Sequence, residues 1–225
     1  MSNPVVIVFT GGPRGGKSEA INYLRAALPA KGLGVSVLPE AATWLMEVGF
    51  HPRDSYHRGS ALWDQTRLSL QVAWEDQALA MARERGGHQV ILVDRGIPDG
   101  EPFCPPDIWR KAIASTKIPP STIFSRYDLV MHMVSSAVDL PDEAYDTKAN
   151  PHRYHNVEEA RASDRRLGEI WSKHPAYHRI DNAGGMEGKL ARISAIMEDR
   201  FNPVPSVPTG LVPLPAQDLS NVRRR

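Results

Sequence analysis

The sequence predicts an α/β fold in which a parallel sheet is covered by helices on both faces. Two observations favour it. Short apolar runs of strand length alternate along the chain with segments in which apolar residues recur at helical spacing. Several of the short runs are almost continuously apolar, which is typical of strands buried on both faces. At 225 residues and 41% hydrophobic composition, the chain suffices for one domain of this kind with a substantial core.

The N-terminal half supplies the first elements. Val5 to Phe9 is an apolar run that a glycine-rich loop joins to a helix, and Pro29 ends that helix before a second strand over residues 35–38. A long helix is predicted next, over residues 61–85. Its apolar and aromatic residues form a stripe that predicts core packing: Trp63, Leu70, Trp74, Ala78 and Met81.

Three further strands complete the predicted sheet. Gln89 to Val93 is the third strand and places Asp94 at its carboxyl end, and residues 127–133 and 177–180 are the fourth and fifth. From Phe201 onward the helical pattern fails, because prolines break it. Five of them occur in this tail: Pro203, Pro205, Pro208, Pro213 and Pro215.

Composition excludes several functional classes. The 27 Lys and Arg residues nearly balance the 26 Asp and Glu residues, so the net charge of +1 creates no general field for nucleic acid or an anionic membrane. The single cysteine, Cys104, excludes an internal disulfide and suits a reducing compartment. No secretory signal or membrane-spanning run is visible, so a soluble, cytoplasmic protein without membrane insertion is expected.

The segment Gly11-Gly12-Pro13-Arg14-Gly15-Gly16-Lys17-Ser18 fits the phosphate-binding pattern of a glycine, four residues and then Gly-Lys-Ser. Backbone N–H groups converge on phosphates there, and the glycines clear the approach. Lys17 places a charge on the β- and γ-phosphates, and Ser18 offers a hydroxyl to Mg²⁺. A flexible surface turn has a similar composition, but the flanking strand and helix favour nucleotide binding.

Acidic residues follow two of the other strands. Glu40 comes after the second strand, where a carboxylate can accept the proton of an attacking hydroxyl or hold a magnesium-bound water. Asp94 is placed as the carboxylate on the Mg²⁺ side, and Arg95 beside it can orient a polar or anionic acceptor. The alternatives are a helix N-cap role for Glu40 and a structural salt bridge for Asp94 and Arg95.

A polar stretch over residues 137–166 carries four arginines: Arg153, Arg161, Arg165 and Arg166. Arg161 and Arg165 are four apart, so a helix would place both on one face. Guanidinium groups match phosphate oxygens and can neutralise charge on a transferred phosphoryl group. The alternative is a solvated helix in which Asp164 and its acidic neighbours pair with the arginines.

Several segments together resemble one family, the AAA-type P-loop family that includes the ribosylnicotinamide kinase domain of NadR and the TRP-channel translocation-defective protein. The resemblance covers about Val5 to Arg200. The segments are Val8-Phe9-Thr10-Gly11-Gly12-Pro13, Pro39-Glu40-Ala41-Ala42, Asp94-Arg95-Gly96, Tyr127-Asp128-Leu129-Val130-Met131-His132, His174-Pro175 and Ile180-Asp181-Asn182.

This resemblance implies a kinase-like, three-layer α/β/α P-loop NTPase fold with a five-stranded parallel sheet. Residues 1–200 would form the nucleotide-binding domain, with a helical lid at about 137–170, and residues 201–225 the proline-rich tail. ATP or GTP and Mg²⁺ are the implied cofactors. The absence of an Asn-Lys-x-Asp motif disfavours a Ras-like GTPase without excluding GTP as the phosphate donor.

The resemblance also assigns roles to individual residues. Arg153, with Arg165 or Arg166, occupies positions where the family carries basic lid residues, and Asn182 falls in the loop expected to border the base. The Pro-Glu pair that contains Glu40 is similar to that of deoxynucleoside kinases, in which this glutamate is the general base.

Two departures from the family pattern leave the substrate open. Arg14 stands where relatives commonly carry a small residue or cysteine, and Asp139-Leu140-Pro141 lies in a lid region that is usually richer in small residues.

The leading hypothesis is a small-molecule kinase whose partners are a nucleotide and an acceptor with a hydroxyl group. The loop from His51 to Arg58 and Gln71 are plausible parts of the acceptor pocket. The competing hypothesis is a nucleotide-dependent binding protein, in which a nucleotide closes the lid and creates a surface for a partner. The sequence leaves a homodimer open.

Overall fold

A five-stranded parallel sheet forms the centre of the protein. The computed structural model describes residues 3–52, 61–139 and 156–201. The strands are β1 (Val5–Thr10), β2 (Gly34–Leu38), β3 (Gln89–Asp94), β4 (Leu129–Met133) and β5 (Tyr177–Ile180). They lie in the order β2-β3-β1-β4-β5, so β1 is central, with β3 on one side and β4 on the other.

Helices connect the strands and cover the sheet. Those within the described residues are α1 (Lys17–Ala27), α2 (Ala41–Glu47), α3 (Leu62–Arg85), α4 (Pro106–Ser115), α5 (Ser136–Asp139), α6 (Val157–Trp171) and α7 (Gly185–Phe201). Short 3₁₀ segments follow α1, over Leu28–Lys31, and β3, over Ile97–Phe103. Two more, Pro120–Thr122 and Phe124–Arg126, precede β4.

The core has one layer on each face of the sheet. Ile7 and Phe9 of β1 pack against α1 and α7, whereas Val6 and Val8 pack on the face that α3 and Trp171 of α6 cover. Successive residues of a strand point to opposite faces, so a strand between two helical layers must be apolar throughout. The structure therefore confirms the predicted parallel α/β fold with five strands.

The predicted core stripe of α3 is wrong in part. Trp63 is buried, but Met81 is 65% exposed, and Leu70, Trp74 and Ala78 are only partly buried. The most buried positions are polar to a large extent: Arg67, Leu68, Gln71, Glu75 and Ala82. Glu75 accepts hydrogen bonds from Gln71 and Tyr127 and pairs with Arg126. Because α3 turns these polar side chains inward, its buried face coincides only in part with its apolar stripe.

The strand order brings three strand ends together. The loop that follows β1 lies between the ends of β3 and β4, and the register places Phe9 opposite Asp94 and Thr10 opposite His132. Parallel sheets bind ligands beyond the carboxyl ends of their strands, where connections leave in opposite directions. The site predicted from the sequence lies at this edge.

Candidate functional site

The loop between β1 and α1 wraps closely around the end of β4. A Cβ atom at either Gly11 or Gly15 would lie 2.2 Å from the carbonyl oxygen of Met133, and Gly11 has a φ of +118°. No side chain fits at these two positions. Glycine is therefore required at these positions because the loop touches the end of β4, in addition to the clearance for phosphates that the sequence predicts.

The other loop residues are also held from β4 and α5. Ser135 Oγ donates a 2.5 Å hydrogen bond to the Pro13 carbonyl, and Ser136 N donates to the Arg14 carbonyl at 3.4 Å. Arg14 has a φ of +58°, which non-glycine residues rarely adopt. Ser18 lies exposed in the first turn of α1. The loop is therefore shaped before any ligand binds.

Lys17 lies over this loop. Its Nζ donates to the carbonyl oxygens of Gly11 and Gly12, at 3.2 Å each. Burial, together with the charge of Arg95, lowers the pKa of Lys17 to about 8, although the nearby carboxylates oppose the shift. A phosphate group that meets this ammonium would favour its charged form.

Asp164 of α6 connects the loop to β4. Its Oδ1 accepts hydrogen bonds from Gly12 N at 2.7 Å and Ser135 N at 2.9 Å, and lies 3.2 Å from His132 Nε2. Burial opposes its ionisation, but the His132 ring and the two backbone donors outweigh burial and lower the pKa of Asp164. The alternative that counted Asp164 among the acidic partners on a solvated helix is wrong for this residue, which is buried.

Removal of this carboxylate should destabilise the fold. Asp164→Ala leaves Gly12 N and Ser135 N buried without an acceptor, so we expect the free energy of unfolding to fall by about 2 to 5 kcal/mol. Urea denaturation measures it. Glu169→Ala, at an exposed position of α6, is the control and should stay within about 0.5 kcal/mol. Equal stability of the two variants would contradict the structural role of Asp164.

Lys189 of α7 also supports the loop, and sequence reasoning missed it. Its buried Nζ donates to the carbonyl oxygens of Gly15 at 2.8 Å and Val134 at 2.7 Å. Burial lowers the pKa of Lys189 to about 8. A signal was present in the sequence, since Lys189 shares a helical face with the buried Ile193 and Met197 at spacings of four residues.

Glu40 and Arg95 form an ion pair beside the loop. Arg95 Nε lies 2.8 Å from Glu40 Oε1, and Thr43 Oγ1 donates to Glu40 Oε2 at 2.9 Å. Glu40 is the N-cap residue of α2, as the alternative interpretation has it, although its side chain makes no capping hydrogen bond. Burial opposes ionisation of Glu40, but Arg95, Lys17 and Thr43 outweigh it and lower its pKa.

Arg95 is held in place by its backbone and by Asp99. Its φ of +66° is unusual for a non-glycine residue, and its Nη1 lies 3.2 Å from Asp99 Oδ1. Asp99 is 2% exposed and also accepts hydrogen bonds from Thr10 Oγ1 and Trp171 Nε1. The structural salt bridge of Arg95 is thus with Glu40 and Asp99. Asp94, the partner that the sequence alternative named, is not in this pair.

Asp94 stays available for a cation. Its Oδ1 is buried and has no hydrogen-bond partner among the described residues. Burial raises the pKa of Asp94 to about 6, although the charge of Lys17 opposes the rise. A buried carboxylate oxygen with an open lone pair is a ligand that Mg²⁺ prefers. Asp94 and the Ser18 hydroxyl therefore fit the predicted magnesium site.

The predicted lid residues have other contacts. Arg161 Nε donates to the Ala137 carbonyl of α5 at 2.5 Å, and its Nη1 pairs with Glu158 at 2.7 Å. Arg165 and Arg166 are exposed, and Arg153 lies outside the described residues. The contacts described for Arg161 are thus with α5 and with its own helix, and a role of the four arginines at the phosphates stays a prediction.

Two further predicted positions, Asn182 and Gln71, make hydrogen bonds to protein groups. Asn182 Nδ2 donates to the carbonyl of Ser135 at 3.0 Å and to Asp139 Oδ2 at 3.2 Å, so Asn182 lies next to the residues that support the loop. Gln71 is buried and donates to Glu75. Of the segment from His51 to Arg58, residues 53–58 lie outside the described residues.

The lowered pKa of Lys17 predicts that nucleotide binding depends on pH. Bound phosphates raise this pKa above its free value of about 8, so binding above pH 8 takes up a proton. The affinity should therefore fall by up to about tenfold per pH unit. The ligand does not titrate there, because the second pKa of a phosphate monoester is about 6.

Calorimetry at pH 9 in buffers of different ionisation enthalpy measures this uptake. Lys189 has a similar pKa, so Lys189→Met is the control, and it should retain the uptake that Lys17 causes. The absence of proton exchange in the unchanged protein would contradict the prediction.

The fold and the site define a class. A parallel sheet with β1 at its centre, a glycine-rich loop that leads into α1 and a lysine over that loop make this a P-loop nucleotide-binding protein. A family model described as an AAA domain matches residues 6–189, and the chain belongs to this family. A search of curated proteins finds no match.

The family match confirms the general part of the resemblance and leaves its finer part as a prediction. The matched range, residues 6–189, includes Lys17, Glu40, Asp94, Arg95 and Asp164. The match does not test the resemblance to ribosylnicotinamide kinases or to the TRP-channel translocation-defective protein.

Among helices in the described ranges, none combines the length and the apolar character that a membrane span requires.

Proposed function

We propose that this protein is a phosphotransferase that transfers the γ-phosphoryl group of ATP or GTP to a hydroxyl group of a small molecule, with Mg²⁺. One observation carries the proposal. A carboxylate, Glu40, is held by Arg95 beside Lys17 and Asp94, at the strand ends where the phosphates of a nucleotide would lie. Nucleotide binding alone needs no such carboxylate.

In this proposal the loop binds the donor nucleotide. The loop N–H groups and the start of α1 favour an anion, and Lys17 adds a charge to the β- and γ-phosphates. Ser18 and Asp94 would hold Mg²⁺, which neutralises charge on the phosphates when it is bound. Lys17 exchanges its contacts with the Gly11 and Gly12 carbonyls for contacts with phosphate oxygens.

In this proposal Glu40 orients the hydroxyl group of the acceptor. Its lowered pKa keeps the carboxylate ionised at neutral pH, so it can accept a hydrogen bond from the acceptor hydroxyl and orient the oxygen. In a loose transition state the hydroxyl becomes acidic only as the new bond to phosphorus forms, so a weak base suffices. Asp99 and the backbone of Arg95 fix the guanidinium that positions Glu40.

The lid arginines, Arg161 and Arg165, are proposed to bind the phosphoryl group that is transferred. Arg161 bonds to Ala137 of α5, and α5 begins at Ser136, which donates to the loop carbonyl of Arg14. A small movement of α6 toward the nucleotide would bring Arg161 and Arg165 closer to the phosphates. Asn182 is assigned to the side of the base.

A second candidate is a nucleotide-dependent binding protein, and one contact favours it. Asp164 of α6 accepts a hydrogen bond from Gly12 of the loop, so a change in loop geometry is passed directly to α6. A nucleotide could thereby alter the surface that α6 presents to a partner.

A transfer assay tests the proposal. The full-length protein is incubated with Mg²⁺ and γ-labelled ATP or GTP, and with a panel of nucleosides, amino sugars and other hydroxyl compounds. We expect label on at least one acceptor and none with Lys17→Ala. Nucleotide binding without transfer to any acceptor would favour the binding protein. Calorimetry that detects neither ATP nor GTP would overturn both candidates.

A further inference from the structure

A second buried arginine, Arg67 of α3, lies close enough to Glu40 and Asp99 for their charges to act on its pKa. Arg67 is 7% exposed. Its guanidinium packs against the backbone of Gly100, where an added Cβ would lie 1.8 Å from Nη2. Gly100 follows Asp99, which holds Arg95. Arg67 thus packs on the segment that carries Asp99, the partner of Arg95.

Arg67 lacks the close partners that other arginines in this region have. Its ion pair is a loose one, 3.9 Å from Nε to Asp64 Oδ1. Its Nη2 is buried and has no hydrogen-bond partner in the described part of the chain. By contrast, Arg95 has two carboxylates at 2.8 and 3.2 Å, and Arg126 has two at 2.8 and 2.7 Å.

The charge balance supports the same distinction. Burial lowers the pKa of Arg67 although the charges of Asp64, Asp99 and Glu40 oppose the shift, whereas Glu40 and Asp99 outweigh burial and raise the pKa of Arg95. Guanidinium groups remain charged in proteins. Arg67 is therefore a buried cation that its surroundings compensate poorly, an arrangement that costs stability unless a ligand supplies the missing anion.

We propose that Arg67 binds an anionic group of the acceptor, a phosphate monoester or a carboxylate, while a hydroxyl group of the same molecule faces Glu40. This inference rests on the proposed function and names its substrate class, a small anionic hydroxyl compound. The planar guanidinium suits both anions, because each offers two oxygens to parallel N–H donors.

Two arguments place the anion at Arg67 rather than at the transfer point. Lys17 and the loop already serve the donor phosphates. The nucleophile itself faces the Glu40 carboxylate, which would repel an anion and which attracts a hydroxyl. Arg95 is neutralised by Glu40 and Asp99, so Arg67 is left to recognise the charge of the acceptor.

The test measures anion binding without transfer, on full-length protein saturated with Mg²⁺ and a non-hydrolysable ATP analogue that occupies the loop. Inorganic phosphate and succinate are titrated in separate arms, with thermal unfolding and calorimetry as readouts. We expect one anion to bind and to raise the unfolding temperature. Arg67→Met should weaken its binding about tenfold or more, the usual effect of a lost charge-assisted contact.

Two further variants separate binding from a structural role. Arg83→Gln removes a charge from an exposed position of the same helix and should leave anion binding within about twofold. Arg67→Lys keeps the charge without the planar fork and should bind with intermediate strength. Without anion, Arg67→Met should be at least as stable as the unchanged protein, because it removes a poorly compensated charge; a purely structural Arg67 predicts a loss of stability.

The outcomes separate this inference from the proposed function. The anion that binds, phosphate or succinate, identifies the anionic group of the acceptor as a phosphate or a carboxylate. Binding of neither anion, or equal binding by Arg67→Met, overturns the inference, and so does efficient transfer to an uncharged acceptor that Arg67→Met leaves unchanged. In that last case the phosphotransferase stands. Anion binding that depends on Arg67, without transfer to any acceptor, supports the anion site and contradicts the phosphotransferase.

Discussion

Glu40→Gln should lower the turnover of phosphoryl transfer by about two to four powers of ten, the usual contribution of a general base. Nucleotide affinity should stay nearly unchanged. The amide cannot accept the hydroxyl proton, but its oxygen can keep the 2.8 Å contact with Arg95 Nε. Its NH2 group can donate to Thr43 Oγ1, which lies 2.9 Å from the other carboxylate oxygen of Glu40. Steady-state kinetics with the acceptor found in the transfer assay measures turnover, and calorimetry measures affinity.

Glu47→Gln is the matched control for this experiment. Glu47 is exposed and lies at the end of α2, the helix that Glu40 precedes. We expect its turnover to equal that of the unchanged protein. Turnover of Glu40→Gln within about threefold of this control would show that Glu40 has no part in the proton transfer, because a general base contributes far more than that.

Lys17→Ala should lower the affinity for ATP or GTP by about a hundredfold or more and abolish transfer. The estimate follows from the loss of two charge-assisted contacts to phosphate, each of about 1.5 to 3 kcal/mol. Its Nζ donates to the Gly11 and Gly12 carbonyls, so the ammonium lies over the loop. Calorimetry in the presence of Mg²⁺ measures the affinity.

Lys31→Ala serves as the control for Lys17→Ala. Lys31 is exposed and pairs with Glu198 at 3.4 Å, away from the loop. Its nucleotide affinity should match that of the unchanged protein. Full affinity in a folded Lys17→Ala variant would contradict the assignment of the loop. The two experiments also divide the two candidate functions, since both need Lys17 and transfer alone needs Glu40.

The inward face of α3 shows where sequence reasoning fails. Trp74 and Met81 suggested a core stripe, yet the structure turns Arg67, Gln71 and Glu75 inward. The hydrophobic pattern assumes that the interior is apolar. Here part of the interior is a polar site and a buried network around Glu75, so the assumption does not hold for this helix.

The parallel sheet, the glycine-rich loop and the positions of Glu40 and Asp94 after strand ends could all be predicted from the sequence. Each of these depends on residues that are adjacent along the chain: an apolar run, the residue that follows it, and a helix start. Local geometry suffices, because a residue directly after a buried parallel strand must emerge at the edge where ligands bind.

The side chains that complete the site could not be predicted in this way, because the fold brings them together from distant parts of the chain. Asp164 reaches Gly12 across 152 residues, and Lys189 reaches Gly15 across 174. Arg67 likewise meets Gly100 through the packing of α3 on the segment after β3. No local pattern encodes these partners, because they depend on how the helical layers pack on the sheet. The spacing of Lys189 indicates that it lies on a buried helical face, but not which loop it contacts.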